Sequence, residues 1–319
     1  MSEHQLAAVD GGGSGSRVLV FRSDGRPLAL FKGPPLNYAA LGPSAFLRNL
    51  RLLLNTVAEG LGGPLEGYVF SLAGVSAFKR DVEQLLLSEL HPSRVWLLSD
   101  IEATYMAAAF GRDAIVVSSG TGSFAYGRRG GREARAGGWG YLFGDEGSGY
   151  WIGREFVRRV LMYYDGRLTG GELSAKLLLE ALDATSVVEA VSKLYTRYTS
   201  PRKVAKLAKV ACRAAEQGCR LARELFEDAA SQLYLMVSSV AERLGFGCGV
   251  HVYGTGGVIL GCKQLAAALE LRVKQEGGIF NVVSAHPLVG CVLYYLQVVE
   301  GFSVEELESI NIDITVFDC

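Results

Sequence analysis

The chain has 319 residues, 49% hydrophobic and 20% charged, which is enough apolar material for two folded domains and excludes disorder as the main state. Its net charge of -1 provides no general positive field that would hold nucleic acid or an anionic membrane. No apolar run reaches the ~20 residues of a spanning helix, and the N-terminal stretch lacks the basic start and apolar segment of a signal peptide. We therefore expect a cytoplasmic protein without nucleic-acid or membrane partners.

The first part of the chain alternates between predicted strands and helices. The apolar spacing predicts strands at 5–9, 17–22, 27–32, 68–72 and 95–98. It predicts helices at 43–60, 78–90 and 101–110, the last with an acidic first turn. A glycine turn follows the first strand, a hairpin turn lies at 23–25, and the proline pair at 34–35 leads an extended loop into Asn37.

The same pattern then begins again. Strands are predicted at 114–118 and 123–128 around a second glycine turn, and a turn at 130–131 leads to another strand. Residues 150–244 are predicted to be mostly helical. The remaining predicted elements alternate: strand 250–253, helix 258–271, strand 279–283 and helix 288–299.

Both halves therefore open with strand, glycine turn and strand, and we place their boundary near Arg112. The predicted domains are residues 1–112 and 113–319. Alternating strands and helices indicate an α/β fold. Two glycine turns that faced each other would form a ligand-binding cleft between the domains.

The cysteines and histidines show no metal-site pattern. None of the six cysteines forms a C-x-x-C pair, and the four histidines, His286 among them, lack the spacing of metal ligands. Cys212 and Cys219 are seven residues apart and would share one face of a helix. Disulfides are rare in large cytoplasmic proteins outside hyperthermophiles, so we interpret the cysteines as small buried side chains.

The forty glycines concentrate in turns that suit phosphate binding. In the sequence VDGGGSGS (9–16), a strand ends at Asp10 and enters a turn whose bare backbone N–H groups would surround phosphate oxygens. Asp10 would hold Mg²⁺ through water. The turn is neither a P-loop nor a dinucleotide-binding turn, because no Gly-Lys-Ser/Thr follows and the next element is a strand. The phosphate-binding candidates are Gly11, Gly12, Gly13 and Ser14. The alternative is a hairpin turn that simply requires glycine.

The second turn, SSGTGS (118–123), repeats this design in the second half. The two turns together would hold one triphosphate. A third glycine turn, within VYGTGGVIL (252–260), joins a strand to a helix, and its flat backbone would lie against an adenine or a ribose. The alternative there is a tight turn with no ligand. The candidates in these two turns are Gly120, Thr121, Gly122, Ser123, Gly254, Gly256 and Gly257.

Two carboxylates complete the candidate chemistry. Asp100 follows a strand and precedes a helix, where it would accept a proton from a substrate hydroxyl or simply cap the helix. The sequence GGWGYLFGDEGSGYW (137–151) places Asp145 and Glu146 among six glycines, where a carboxylate would bind paired sugar hydroxyls. The alternative interpretation of Asp145 and Glu146 is an acidic first turn of a helix.

This set of motifs, in this order, resembles the sugar-kinase branch of the actin-like ATPase superfamily, which includes BadF/BadG-type ATPases. The group it resembles contains N-acetylglucosamine kinases and archaeal broad-specificity hexokinases. The likeness spans nearly the whole chain, and residues 137–153 carry its most specific motif. The resemblance implies two ribonuclease-H-like domains that close on sugar and ATP, Mg²⁺ as cofactor, and a homodimer.

The resemblance also implies roles for single residues. Asp100 would take the proton from the 6-hydroxyl of a hexose or N-acetylhexosamine, such as N-acetylglucosamine, glucosamine, glucose or mannose. Thr121 and its neighbours would contact phosphate, and Gly256 and Gly257 would flank the nucleoside. The sugar would be bound by Asn37, Tyr38, Gly137, Gly138 and Asp145.

Two other functions remain open from the sequence. ATP-dependent activators of 2-hydroxyacyl-CoA dehydratases belong to the same branch, but they carry a cysteine just before the second glycine turn. Residues 118–122 are Ser-Ser-Gly-Thr-Gly here, so this chain departs from the activator pattern. A non-catalytic sugar or nucleotide sensor would keep the cleft but would not need Asp100.

Overall fold

The computed structural model describes residues 4–61, 65–310 and 312–314. Residues 1–3, which belong to the stretch used to argue against a signal peptide, lie outside the described residues. Within the described residues, no helix is both long enough and apolar enough to cross a membrane.

Ten strands form two five-stranded sheets. The strands are β1 Gln5–Gly11, β2 Ser16–Arg22, β3 Pro27–Gly33, β4 Gly67–Leu72, β5 Arg94–Ser99, β6 Ala114–Ser119, β7 Ser123–Arg129, β8 Arg132–Gly137, β9 His251–Thr255 and β10 Ile279–Val282.

The helices are α1 Tyr38–Leu61, α2 Lys79–Leu90, α3 Asp100–Ala109, α4 Gly149–Tyr164, α5 Glu172–Leu182, α6 Val187–Arg197, α7 Pro201–Ala205, α8 Leu207–Glu216, α9 Arg220–Leu244, α10 Gly257–Gly261, α11 Lys263–Gln275, α12 Pro287–Val298 and α13 Val304–Ser309. The predicted strands and helices are present, with shifts of a few residues at their ends, except that the predicted helix 258–271 is divided into α10 and α11 by the extended residue Cys262. The largest shift is in α1, which starts five residues early and bends at Gly42, where a φ of 69° precedes Pro43.

The chain divides into two compact units. Unit 1 is Met1–Arg112 with Ala285–Cys319, and unit 2 is Asp113–Ser284. The division after Arg112 falls where the sequence placed it. Residues 285–319 differ from the prediction, because α12 packs against α3 and β1 and so lies in unit 1. The predicted cleft between the halves stays a prediction.

The two sheets have the same topology. Unit 1 has the order β3-β2-β1-β4-β5 and unit 2 the equivalent order β8-β7-β6-β9-β10. In unit 1, β1, β4 and β5 pair in parallel, whereas β2 pairs antiparallel with both β1 and β3. In unit 2, β6, β9 and β10 pair in parallel, whereas β7 pairs antiparallel with both β6 and β8. The carboxyl ends of the parallel strands therefore gather at one edge of each sheet, the place where open α/β sheets bind ligands.

Alternation along β1 decides which face of the unit 1 sheet carries Asp10. Ala7 and Val9 are buried in the core that α1 and α2 share with the sheet. Successive strand residues point to opposite faces, so Asp10 belongs to the other face. That face packs against α12, with Tyr295 meeting the rings of Phe21 and Trp96 edge-on.

Candidate functional site

The first glycine turn, residues 10–16 (turn 1), leaves β1 and re-enters the sheet through β2. Its backbone closes on itself, with the N–H of Gly12 donating to the carbonyl of Gly15 at 3.0 Å. A cavity of about 590 Å³ lies beside it, and Asp10, Gly12 and Ser14 are among its lining residues. Gly11 instead lies inside β1, where a Cβ would collide with Leu36 and Leu72, so close packing explains that glycine.

Asp10 and Asp100 form an electrostatically coupled pair at the carboxyl ends of β1 and β5. Burial and, to a smaller extent, the nearby Asp100 carboxylate raise the pKa of Asp10 to about 6, whereas the Arg17 guanidinium opposes the rise. Two carboxylates at one sheet edge repel each other when both are charged. A cation at this place would relieve that repulsion.

Asp100 is the first residue of α3 but does not cap it. Ser99 is the cap: its hydroxyl accepts the N–H of Glu102 at 3.2 Å, and the Glu102 carboxylate accepts the N–H of Ser99 at 2.7 Å. This reciprocal pair satisfies the helix N-terminus. The interpretation of Asp100 as a helix cap is therefore wrong, and its half-buried carboxylate is not needed for that structural task.

Asn37 and Tyr38 begin α1, and both make contacts within unit 1. The side-chain oxygen of Asn37 accepts the N–H of Ala40 at 3.0 Å, which caps the helix. The ring of Tyr38 is buried against Phe46 and Phe78, with 5.4 Å between ring centroids in each pair. Packing against these rings explains why Tyr38 is buried. A sugar contact by Asn37 or Tyr38 stays a prediction.

The second glycine turn, residues 118–123 (turn 2), is fastened to the start of α4. The N–H of Gly149 donates to the carbonyl of Gly120 at 2.8 Å, and that of Tyr150 donates to Thr121 at 3.3 Å. The hydroxyls of Ser119 and Ser123 each donate at 2.7 Å to carbonyls of residues 146–147. Turn 2 and the segment that precedes α4 therefore form one hydrogen-bonded structure.

Asp145 lies at the centre of that structure. It precedes α4, has a φ of 59° and is 8% exposed, so the interpretation as a first helical turn is wrong. Burial raises its pKa, while the backbone N–H groups of Ser123 and Gly140 lower it by donating to the carboxylate. A Cβ on Gly122 would lie 2.8 Å from an oxygen of Asp145, which explains that glycine. The carboxylate thus orders turn 2, and binding of a sugar by it stays a prediction.

The glycine pair 137–138 also accepts a hydrogen bond from a side chain. Arg135 donates from Nε to the carbonyl of Gly137 at 3.0 Å and stacks 5.2 Å from the ring centroid of Trp139. Both glycines have a φ near 70°, a conformation that L side chains rarely adopt. Trp139 and Phe143 nearby are 77% and 89% exposed, which makes this loop an apolar, aromatic surface.

The third glycine turn, residues 254–257 (turn 3), packs on turn 2. Gly256 has a φ of 91°, and a Cβ there would lie 2.5 Å from the carbonyl oxygen of Ser119. Because β6 and β9 are parallel neighbours, the two turns follow adjacent strand ends. Gly254 is different: it lies within β9, where a Cβ would collide with the ring of Phe280, so packing explains it.

A second cavity, of about 670 Å³, joins turn 2 and turn 3 within unit 2. Gly120, Thr121 and Gly257, all singled out from the sequence, lie on its wall. Another part of the wall comes from α7, α8 and the residue between them, which carry four exposed cations: Arg202, Lys206, Lys209 and Arg213. Their spacing of four, three and four residues is that of one helical face, and all four line the cavity. That spacing was visible in the sequence and was missed.

The interpretation of the cysteines as unpaired buried side chains is wrong for one pair. Cys212 and Cys262 form a disulfide across 50 residues of sequence, with 5.9 Å between their Cα atoms. Both cysteines line the second cavity. Cys219 is buried and lies just before α9, whereas Cys212 belongs to α8, so the two do not share a helix.

A family model now places this architecture among known proteins. The model of the BadF/BadG/BcrA/BcrD ATPase family matches residues 8–294, most of the chain. The chain belongs to this family. Binding of ATP is therefore a property of its family, and the cavity between turn 2 and turn 3 is the candidate nucleotide site.

Individual relatives point to sugar kinases. The chain is 29% identical over 249 residues to an N-acetylmuramic acid/N-acetylglucosamine kinase of Clostridium acetobutylicum, covering 75% of this chain and 80% of that protein. It is 30% identical over 268 residues to an N-acetyl-D-glucosamine kinase of Dictyostelium discoideum, covering 77% and 82% respectively. The crystal structure of a candidate N-acetylglucosamine kinase from Chromobacterium violaceum is similar, with a TM-score of 0.72, 25% identity and coverage of 92% and 100%.

An ATP-using family implies Mg²⁺, and the residues at turn 1 fit this ion. Mg²⁺ in phosphate-transfer sites is held by one or two carboxylates, with water and substrate phosphate completing the shell. Asp10 supplies one carboxylate at this sheet edge, and burial together with the nearby Asp100 carboxylate raises its pKa to about 6. The described residues contain no group of three or more metal-binding side chains. A single carboxylate suits an ion whose other ligands are water and the donor phosphates.

Proposed function

We propose that this member of the family is an ATP-dependent kinase that transfers phosphate to the 6-hydroxyl of a hexose or N-acetylhexosamine. The observation that carries the proposal is Asp100, which lies at the carboxyl end of β5 beside Asp10 while Ser99 caps the helix. The two curated relatives, both named as kinases of N-acetylated amino sugars, support this substrate class.

In the proposed reaction, Asp100 accepts the proton of the sugar hydroxyl. The hydroxyl oxygen then forms a bond to the terminal phosphorus of ATP, and the bond from that phosphorus to the bridging oxygen breaks, leaving ADP. A positioned general base contributes ~10²–10⁴-fold to the rate of such a step. Phosphate transfer depends otherwise on positioning and charge neutralisation.

The nucleotide would occupy the second cavity. Turn 2 would contact phosphate through the backbone of Gly120–Gly122 and the side chain of Thr121, and Gly256 and Gly257 of turn 3 would flank the nucleoside. The side chain of Ser123 is buried and its hydroxyl already donates to the Glu146 carbonyl, so it holds turn 2 in place. The cationic face of α7 and α8 would favour an anionic ligand. When bound, Mg²⁺ would neutralise phosphate charge, and Asp10 would hold it.

Asn37 and Asp145 remain the proposed sugar contacts, with Tyr38 and the backbone of Gly137 and Gly138. Each of the two side chains already has a structural partner, Asn37 at the start of α1 and Asp145 at turn 2. A residue that is already ordered by one contact loses little freedom when it makes another. The cytoplasmic location and the homodimer expected from the sequence stay predictions.

The test is release of ADP by the purified protein with Mg²⁺ and ATP, with and without each of four sugars. N-acetylglucosamine, glucosamine, glucose and mannose differ at C2, and mass spectrometry identifies any sugar phosphate formed. ADP release that depends on a sugar, together with that sugar's phosphate, is the expected result. Sugar-independent hydrolysis would favour the activator-type ATPase, and ligand binding without turnover would favour the sensor.

A further inference from the structure

A row of four cations runs along one wall of the second cavity. Arg202 belongs to α7, Lys206 lies between α7 and α8, and Lys209 and Arg213 belong to α8; these four are the cationic row. Lys206 has a φ of -63° and a ψ of -26°, which are helical values, so the row follows one helical face across the junction. At 1.5 Å per residue the row is about 16 Å long.

The cationic row carries charge that other side chains do not neutralise. Among the residues that the structure describes, no carboxylate forms an ion pair with any of its four members. Glu216, three residues beyond Arg213, also lines the cavity and offsets one of the four charges. The wall is therefore positive in sum, and an anion in the cavity would relieve the repulsion within the row.

The α7 end of the row lies beside turn 2. The backbone N–H of Gly149 donates to the carbonyl of Gly120 at 2.8 Å, and a Cβ on Gly149 would lie 3.3 Å from the Cβ of Ala205. Lys206 directly follows Ala205. The first two cations of the row therefore lie at the end of the cavity where the proposed function places the phosphates of the donor.

The α8 end of the row lies beside α10, the helix that begins in turn 3. The disulfide joins Cys212 of α8 to Cys262, which directly follows α10. Lys209 and Arg213 flank Cys212 along the helix, at the end where the proposed function places the nucleoside. ATP carries its negative charge on its phosphates, and its nucleoside is neutral. ATP therefore leaves these two cations without an anionic partner.

A linear polyphosphate has a charge distribution that matches the whole row. Each phosphate of the chain is negatively charged, so an extended chain presents anionic oxygens along its entire length. Side chains three and four residues apart on a helix follow one another at about 5–6 Å. Charge-assisted bonds from guanidinium and ammonium groups to phosphate oxygens are the stronger class of hydrogen bond.

We propose that the second cavity binds linear inorganic polyphosphate along the cationic row, in competition with the nucleotide. This inference rests on the proposed function in one respect, because it takes turn 2 as the end that holds the phosphates of ATP. The polyphosphate places phosphates at that end as ATP does, and its further phosphates reach Lys209 and Arg213. The row and both turns belong to unit 2.

The test compares a linear hexaphosphate with tripolyphosphate by calorimetry in a buffer without divalent cations. The wild-type protein should bind the hexaphosphate ~10-fold more tightly or better, because only the longer chain reaches both ends of the row. The affinity of the hexaphosphate should also fall more steeply with salt, since more cations contact it. In a competition titration, the hexaphosphate should displace AMPPNP.

A double variant, Lys209→Met with Arg213→Gln, removes the two cations at the turn 3 end. The longer chain should lose its advantage and its steeper salt dependence, because the remaining cations contact only the phosphates at turn 2. Adenosine should keep its wild-type affinity, and the melting temperature should not change. Lys203→Met is the matched control: Lys203 is an exposed cation of α7 that does not line the cavity, and its loss should change no affinity.

Equal affinities of the two chain lengths for the wild-type protein would overturn the inference. Equal losses for both chain lengths in the double variant would overturn it as well. A loss of adenosine affinity as large as that of the hexaphosphate would show that Lys209 and Arg213 serve the nucleoside instead.

The sugar-phosphorylation assay with ATP separates these results from a failure of the proposed function. A wild-type protein that phosphorylates a sugar but binds both chain lengths equally refutes the inference alone. A protein that prefers the longer chain but phosphorylates no sugar refutes the proposed function and leaves polyphosphate binding in place.

Discussion

The carboxylate of Asp100 offers the sharpest test at the scale of single residues. Because Ser99 caps α3, Asp100→Asn should leave the fold intact. If Asp100 is the general base, kcat should fall by ~10²-fold or more with little change in ATP affinity. Steady-state kinetics with the best sugar would measure both values.

The control for Asp100→Asn is Asp81→Asn, which changes an exposed aspartate in the first turn of another unit 1 helix. It should leave kcat unchanged. Near wild-type turnover in a folded Asp100→Asn variant would remove Asp100 from the mechanism.

The raised pKa of Asp10 predicts a pH-dependent stability. A carboxyl group with a pKa of about 6 in the folded protein and 3.8 when unfolded is charged above pH 6 in both states, and there its burial opposes folding. Asp10→Asn should therefore stabilise the protein above pH 6, by up to about 3 kcal/mol. The gain should vanish below about pH 4, where both states are protonated.

Urea denaturation between pH 4 and pH 8, with a chelator and no nucleotide, would measure this effect. Asp24→Asn, in the exposed turn between β2 and β3, is the control and should show no such trend. A gain that does not depend on pH would show that the Asp10 charge is not its cause.

At the scale of elements, the crossing of α3 and α12 depends on one glycine. Gly290 is buried in α12, and a Cβ there would overlap the carbonyl oxygen of Ala103. Because that neighbour is backbone, it cannot rotate away. Gly290→Ala should lower the free energy of unfolding by roughly 1–3 kcal/mol or more.

Denaturant unfolding of Gly290→Ala and of Gly247→Ala makes the comparison. Gly247 has open space around it and an ordinary φ, so alanine should be tolerated there. If both variants unfold at the same denaturant concentration, close approach of the two helices is not what limits position 290.

The disulfide connects α8 with the chain just before α11, at the wall of the second cavity. Its 50-residue separation predicts that replacing Cys212 and Cys262 by alanine destabilises the protein by roughly 4 kcal/mol under oxidising conditions. Thermal unfolding with and without dithiothreitol would measure this, since the reductant should affect only the wild-type protein.

Cys248→Ala provides the control for the disulfide, because Cys248 is exposed and unpaired. It should behave as the wild-type protein does. A wild-type melting temperature that dithiothreitol does not change would contradict a stabilising disulfide.

At the scale of the whole molecule, ligand binding should stabilise the folded chain by mass action. AMPPNP with Mg²⁺ at ~100 times its Kd should add ~2.7 kcal/mol to the free energy of unfolding. Hydrogen exchange should slow at turn 2 and turn 3, whose backbones line the second cavity. Adenosine should slow hydrogen exchange at turn 3 but not at turn 2. Slower exchange at turn 2 alone would show that the nucleoside lies at turn 2 and the phosphates at turn 3.

The sequence by itself determined most of the local structure. Apolar alternation and helical spacing are properties of contiguous residues, so they located the strands and helices and the repeated strand-turn-strand unit. Glycine turns are local too, because glycine acts through its own backbone. Turns 1 to 3, Asp10 and Asp100 could therefore be proposed as site candidates from short segments, and the resemblance that these segments carry led to the family.

Only the tertiary structure decided which distant side chains meet. His286 reaches Arg17, Cys212 reaches Cys262, and Gly290 reaches Ala103, and each pair is separated by at least 50 residues. The tertiary structure also assigns residues 285–319 to unit 1 and shows that Ser99, rather than Asp100, caps α3. Such contacts depend on several elements packing at once, because a side chain's neighbours are set by the register of strands and the crossing of helices. No single segment of the chain contains that information.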